Sequence, residues 1–139
     1  MAQAVAAEAE IPPRFYTNLR KRIYKNVSDM NANGLGCWEW GGPKKTGANC
    51  GSVHLRLGMD RTTVNAPRAS FIAFNEKFVL GDDISHCCHH SSCVNPSHLS
   101  HETHDINMAR EQCRKPKQCS GHTNAHGEAL KHCLFVEQQ

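Results

Sequence analysis

The chain has 139 residues, a formal net charge of +3, eight cysteines and ten histidines, and only 25 of its residues are Leu, Ile, Val or Phe. That length fits one domain, but the apolar content falls below what folds a chain on hydrophobic burial alone. No apolar run approaches the roughly 18 residues of a membrane-spanning helix, and the small positive charge permits a polyanionic partner without demanding one.

Residues 1–10 are an Ala- and Glu-rich lead-in. The start MAQAVAAEAEIPP has no basic segment followed by an apolar run, so no secretory signal is visible and an intracellular location is expected. Pro12 and Pro13 open a helix along which Phe15, Leu19, Ile23, Val27 and Met30 recur on one face, with Arg20, Lys21, Arg22 and Lys25 on the other. A short strand around Cys37–Trp40 precedes a glycine-rich turn. Val53, Leu55 and Leu57 alternate with His54 and Arg56 as in a half-buried strand, and 61–65 reads as its hairpin partner across Gly58, Met59 and Asp60. A second helix is predicted from Pro67 through ASFIAFNEKF, with Phe71, Phe74 and Phe78 as its buried stripe. After a strand over DDIS comes the cysteine- and histidine-rich segment SHCCHHSSCVNPSHL, and Thr103 then caps a helix through HDINMAREQ.

Six of the cysteines and nine of the histidines lie between His86 and Cys133. Without a secretory signal, metal is a better cross-link than disulfides. The short gaps Cys88 to Cys93 and Cys93 to His98 suit a loop wrapped around tetrahedral Zn²⁺. Cys37 is the expected fourth ligand because it would pin the N-terminal half to this loop, with Cys50 and Cys87 as alternatives. Cys113, Cys119 and His122 form a second compact set, completed by Cys133, with His126 and His132 also within reach. A closed set of four ligands leaves no position for water or substrate, so both zincs are read as structural. His86 stands outside them, and Asn107 falls near the start of the last helix.

GCWEW, APRASF, ISHCCHHSSCVNPSHL, DINMAREQC and CSGH follow one another as in the His-Cys box homing endonucleases, and the chain resembles that family over about residues 35–133. The resemblance implies a ββα-metal (His-Me finger) active-site motif within an α+β, zinc-stabilised domain with an antiparallel sheet. Residues 1–34 would be a tail and basic helix, and residues 35–139 the nuclease domain. It implies that His86 is the general base and Asn107 the single protein ligand of a catalytic Mg²⁺. It also implies that Cys37, Cys88, Cys93 and His98 hold one zinc and that Cys113, Cys119 and His122 begin the other. Arg61, with Arg56 behind it, is assigned to the scissile phosphate, and Pro67 stands where relatives often have a basic residue.

The implied activity is Mg²⁺-dependent hydrolysis of double-stranded DNA to 5′-phosphate and 3′-hydroxyl ends, of the homing type, in the nucleus. His54, Arg56 and Arg61 of the hairpin would contact DNA. Two-fold target recognition goes with a homodimer, although the six residues after Cys133 do not support the tail by which some relatives embrace a second subunit. The alternatives are a non-catalytic zinc module that binds DNA or protein, and a nuclease of low specificity acting in defence or degradation.

Overall fold

The computed structural model of the chain describes residues 11–32, 34–44 and 51–135, so Cys50 lies outside the described residues. Helix α1 (Pro13–Asn26) starts on a proline and buries Tyr16, Leu19 and Ile23. It was expected to reach Met30, but the chain leaves the helix at Val27. The β-branched Val27 opens β1 (Val27–Asp29), which pairs antiparallel with β2 (Glu39–Trp40). The Gly41 amide donates to the Asn26 carbonyl at 2.7 Å, satisfying a helix-end acceptor that another turn would have used. Met30 is exposed. Lys21, Arg22 and Lys25 face solvent, whereas Arg20 turns inward to the Ala73 carbonyl (2.7 Å) and Glu76 (3.1 Å).

β3 (Ser52–Leu57) and β4 (Asp60–Asn65) form a hairpin in continuous register from Ser52↔Asn65 to Leu57↔Asp60. Its two-residue turn begins with Gly58 at φ +60°, where a side chain would be strained. Val53, Leu55 and Val64 face the core. At the base of the hairpin, a Cβ on Gly51 would lie 1.9 Å from Trp40 Nε1, so only glycine admits the indole there.

Helix α2 (Ala66–Asn75) is capped by the Asn65 side chain, which accepts the Arg68 amide at 2.9 Å. Its core face is not the predicted phenylalanine stripe but Ala66, Ala69, Ser70, Ile72 and Ala73. Small side chains bring the α2 backbone close to its neighbours, and larger rings there would overfill that space. Phe71 and Phe74 are only half-buried and Phe78 lies beyond the helix; Phe74 meets Tyr24 and Trp38 edge-on at 5.4 and 5.8 Å.

β5 (Asp83–His86) pairs antiparallel with β6 (Leu99–Glu102), with His86 opposite Leu99 and Asp83 opposite Glu102. Between them run the zinc-type loop and a 3₁₀ turn over Pro96–His98, and α3 (His104–Arg114) follows. The expected strand, loop and helix thus gain a second strand and become a ββα unit. Thr103 occupies the cap position of α3, but its side chain makes no capping bond.

The fold is α+β, with three helices and three two-stranded antiparallel sheets among the described residues. A single cluster joins Tyr16, Leu19 and Ile23 to Trp40, Val53, Leu55, Ile72, Phe78 and Val94. Two-stranded sheets are marginal alone in water, so this cluster and the cysteine-rich loops must hold them together. Among the described residues no helix is long and apolar enough to cross a membrane.

Candidate functional site

The first cluster is assembled by a strand that docks on a loop. The Trp40 amide donates to the Ser92 carbonyl (3.1 Å) and the Val94 amide to the Trp38 carbonyl (2.9 Å), which carries Cys37 alongside Cys93. Asn95 fastens the far side. Its side chain donates to the Gly36 carbonyl at 2.7 Å and accepts the Ser97 amide at 3.0 Å, starting the 3₁₀ turn that ends on His98. Cys37, Cys88, Cys93 and His98 are all buried, and their ligand atoms lie within 4.8 Å of one another. His98 Nδ1 is 3.6 Å from both Cys37 Sγ and Cys93 Sγ. Tetrahedral Zn²⁺ with Zn–S of about 2.3 Å and Zn–N of about 2.05 Å requires an S···N edge of about 3.6 Å. The donor set therefore fits zinc in both chemistry and size. Cys87 is buried but is not in the cluster.

Without a cation the crowded thiols divide their protons unevenly. A hydrogen bond from Cys88 draws the Cys93 thiol down to about 4, and the same bond pushes Cys88 up. Bringing several thiolates to one point is unfavourable until a metal supplies positive charge.

The second cluster takes Cys113 from the last turns of α3, Cys119 and His122 from the following turn, and Cys133 from the returning chain, again within 4.8 Å. His122 Nε2 lies 3.5 Å from Cys113 Sγ and 3.6 Å from Cys133 Sγ, the same tetrahedral edge. Cys133 thus joins the set, while His126 and His132 remain exposed outside it. Beyond Cys133, the Leu134 amide bonds the Cys87 carbonyl at 2.7 Å and its side chain packs on the first cluster. The two metal-type sites therefore share one wall.

His86 ends β5 with its Nε2 3.0 Å from the Cys93 carbonyl oxygen. A carbonyl only accepts, so Nε2 carries the proton and, in the neutral ring, Nδ1 is the basic atom. Burial holds the imidazole below its ordinary 6.5, against the opposing pull of that carbonyl. Asn107 stands in the first turn of α3. Its Oδ1 accepts the Ser85 hydroxyl at 2.8 Å and its Nδ2 donates to Asp83 Oδ2 at 2.9 Å. Ser85 uses one of the two lone pairs on Oδ1, which leaves an oxygen donor suited to a hard cation such as Mg²⁺.

The exposed hairpin face carries His54, Arg56, Arg61 and Thr63. Arg56 lies directly opposite Arg61, and His54 Nδ1 is 2.8 Å from Thr63 Oγ1. These residues, with Leu55 and Thr62, line a shallow groove of about 480 Å³. Arg61 belongs to this groove, whereas the arginine whose charge acts on Asp83 is Arg68. Arg68 is engaged by the carbonyls of Val79 (3.1 Å), Gly81 (3.0 Å) and Asp82 (2.5 Å).

Three groups near these sites escape sequence reasoning. Asp83 is bonded to Asn107 and His104. Glu102 and Arg110 form a buried ion pair, Arg110 Nη2 to Glu102 Oε2 at 3.0 Å, and Arg110 Nη1 also reaches Cys133 Sγ at 3.5 Å. Glu39 binds His90 (2.6 Å) and Ser92 (2.7 Å), tying GCWEW to the zinc-type loop.

Residues 18–138 match the family model described as the zinc-binding loop region of homing endonuclease. No curated protein and no solved structure matches the chain. The matched span includes both four-ligand clusters, the ββα unit and the hairpin, and the chain belongs to the His-Cys box homing endonuclease family.

Proposed function

We propose that the protein is a Mg²⁺-dependent endonuclease that hydrolyses double-stranded DNA, with two structural zincs, His86 as general base and Asn107 as the protein ligand of Mg²⁺. The observation that carries this reading is the bond from His86 Nε2 to the Cys93 carbonyl. It leaves Nδ1 as the only basic atom of a ring whose burial favours the neutral form at pH 7. His86 takes a proton from water on Nδ1 as the water oxygen attacks phosphorus. The bond from phosphorus to the 3′ oxygen breaks, that oxygen takes a proton from solvent water, and the products are a 5′-phosphate and a 3′-hydroxyl. Bound at Asn107, Mg²⁺ would stabilise negative charge on the phosphate and on the departing oxygen.

The hairpin supports the choice of substrate. Like charges directly opposite each other on a sheet repel, and the Arg56–Arg61 pair sits on an exposed face, where a phosphate backbone would relieve the repulsion. Arg61, with Arg56 behind it, is assigned to phosphate contact and His54 to the groove. Two-fold DNA recognition by a homodimer and action in the nucleus belong to the same proposal.

The test is incubation of zinc-loaded protein with supercoiled plasmid and mixed-sequence duplex DNA in Mg²⁺, followed by mapping of the ends. Cleavage to 5′-phosphate ends that drops at least a hundredfold in His86→Ala is expected. Equal cleavage by His86→Ala would refute the assignment of the base. DNA binding with no cleavage by the parent would make the protein a binding module.

A further inference from the structure

We propose that Asp83 is a positioning residue for Asn107, fixing the side-chain amide so that Oδ1 faces the metal and drawing charge onto that oxygen. The inference rests on the reading of Asn107 as the Mg²⁺ ligand. An amide can rotate by half a turn and exchange its oxygen for its nitrogen. Here Nδ2 lies 2.9 Å from Asp83 Oδ2, and an ionised carboxylate can only accept, so the nitrogen is confined to that side. Ser85 sets the other end by donating to Oδ1 at 2.8 Å. The flipped amide would oppose two acceptors and present N–H groups to the cation.

An amide N–H bonded to a carboxylate is charge-assisted and polarises the amide, which makes its oxygen a stronger donor. Metal-bound histidines commonly gain orientation and basicity from a carboxylate in the same way. Asp83 is itself held firmly. His104 Nδ1 bonds the same Oδ2 at 2.7 Å, the backbone of Asp83 is paired with Glu102, and Arg68 clamps the carbonyls of residues 79, 81 and 82 just before it.

The zinc-loaded full chain would be titrated with Mn²⁺ alone, followed by water-proton relaxation, as parent, Asp83→Asn and Asn107→Ala. Asp83→Asn should weaken Mn²⁺ binding roughly ten- to a hundredfold while both zincs and Tm are retained. The Mg²⁺ concentration for half-maximal plasmid cleavage should rise by the same factor, with the rate restored at saturating Mg²⁺. If Asn107→Ala loses Mn²⁺ and Asp83→Asn does not, the positioning role is overturned and Asn107 stands as the ligand. If neither changes Mn²⁺ binding, the Asn107 reading falls and this inference with it. A cleavage defect in Asp83→Asn that excess Mg²⁺ does not repair also overturns it. Asp83→Ser, read by the same titration, replaces Asp83→Asn should the latter fail to retain zinc.

Discussion

The Cys93 carbonyl oxygen accepts the Nε2 proton of His86 at 3.0 Å, while the Cys93 sulfur stands 3.6 Å from His98 Nδ1 in the first metal-type cluster. One residue therefore links the candidate base to a candidate zinc. The zinc-loaded protein should show His86 as the Nε2–H tautomer in ¹⁵N imidazole NMR, and this signature should vanish when the first site is stripped. An Nδ1–H tautomer in the loaded protein would remove the basis for using Nδ1 as the base.

Two clusters of four ligands predict two zincs per chain by elemental analysis. Their release should be ordered, because all four ligands of the first cluster are buried whereas Cys119 and His122 of the second are only partly so. A chelator should remove one zinc quickly and the other slowly. Cys119→Ser should abolish the fast phase and Cys37→Ser the slow one. Loss of the slow zinc should unfold the chain, since that cluster cross-links the N-terminal half to the loop. A single zinc per chain would contradict the second site.

Much of the first cluster could be read in advance because Cys88, Cys93 and His98 lie within eleven residues, where loop geometry leaves few arrangements. Asp83 and Glu102 are different. The β5–β6 register sets them opposite each other, and that register pairs residues 13 to 19 positions apart in the chain. The end of α1 departs from the helical period for a similar reason. Val27 continues the helical period, but its pairing with Trp40 decides its conformation. On α2 the phenylalanines drew attention by size, while close packing selected the alanines, Ser70 and Ile72. Thiolate softness toward Zn²⁺ favours Cys133 over His126 and His132, and the structure seats Cys133 in the set as the returning chain bonds Leu134 to Cys87.

Glu102 and Arg110 are each about 1 % exposed at the side chain, and the carboxylate also accepts from Ser100 at 2.8 Å. Burial alone would raise the Glu102 pKa, but its bonds from Arg110 and Ser100 outweigh that and hold it below the ordinary 4.5. Glu102→Gln should cost about 3–5 kcal/mol, because Arg110 then stays buried without its counter-charge. A carboxylate with a lowered folded pKa contributes stability fully above its unfolded value and loses it as pH falls through the lowered one. The gap in Tm between parent and Glu102→Gln should therefore be widest above pH 4.5 and close below it. A gap independent of pH would show that the substitution acts through packing.

The Arg56–Arg61 pair separates the hairpin from other basic surfaces as the place where DNA lies. Arg114 is also exposed and is already paired with Glu111 at 3.2 Å, so it serves as the comparison. If the hairpin contacts phosphates, Arg61→Ala should weaken binding to mixed-sequence duplex and flatten the plot of log affinity against log salt by about one unit. Arg114→Ala should leave both nearly unchanged. Removing Arg61 also relieves its repulsion with Arg56, so the same variant should gain a few tenths of a kcal/mol in stability while losing affinity. Opposite changes in stability and binding identify a charge pair kept for a polyanion. If Arg114→Ala instead shows the larger loss of affinity, DNA lies against α3 and the hairpin face is not its seat.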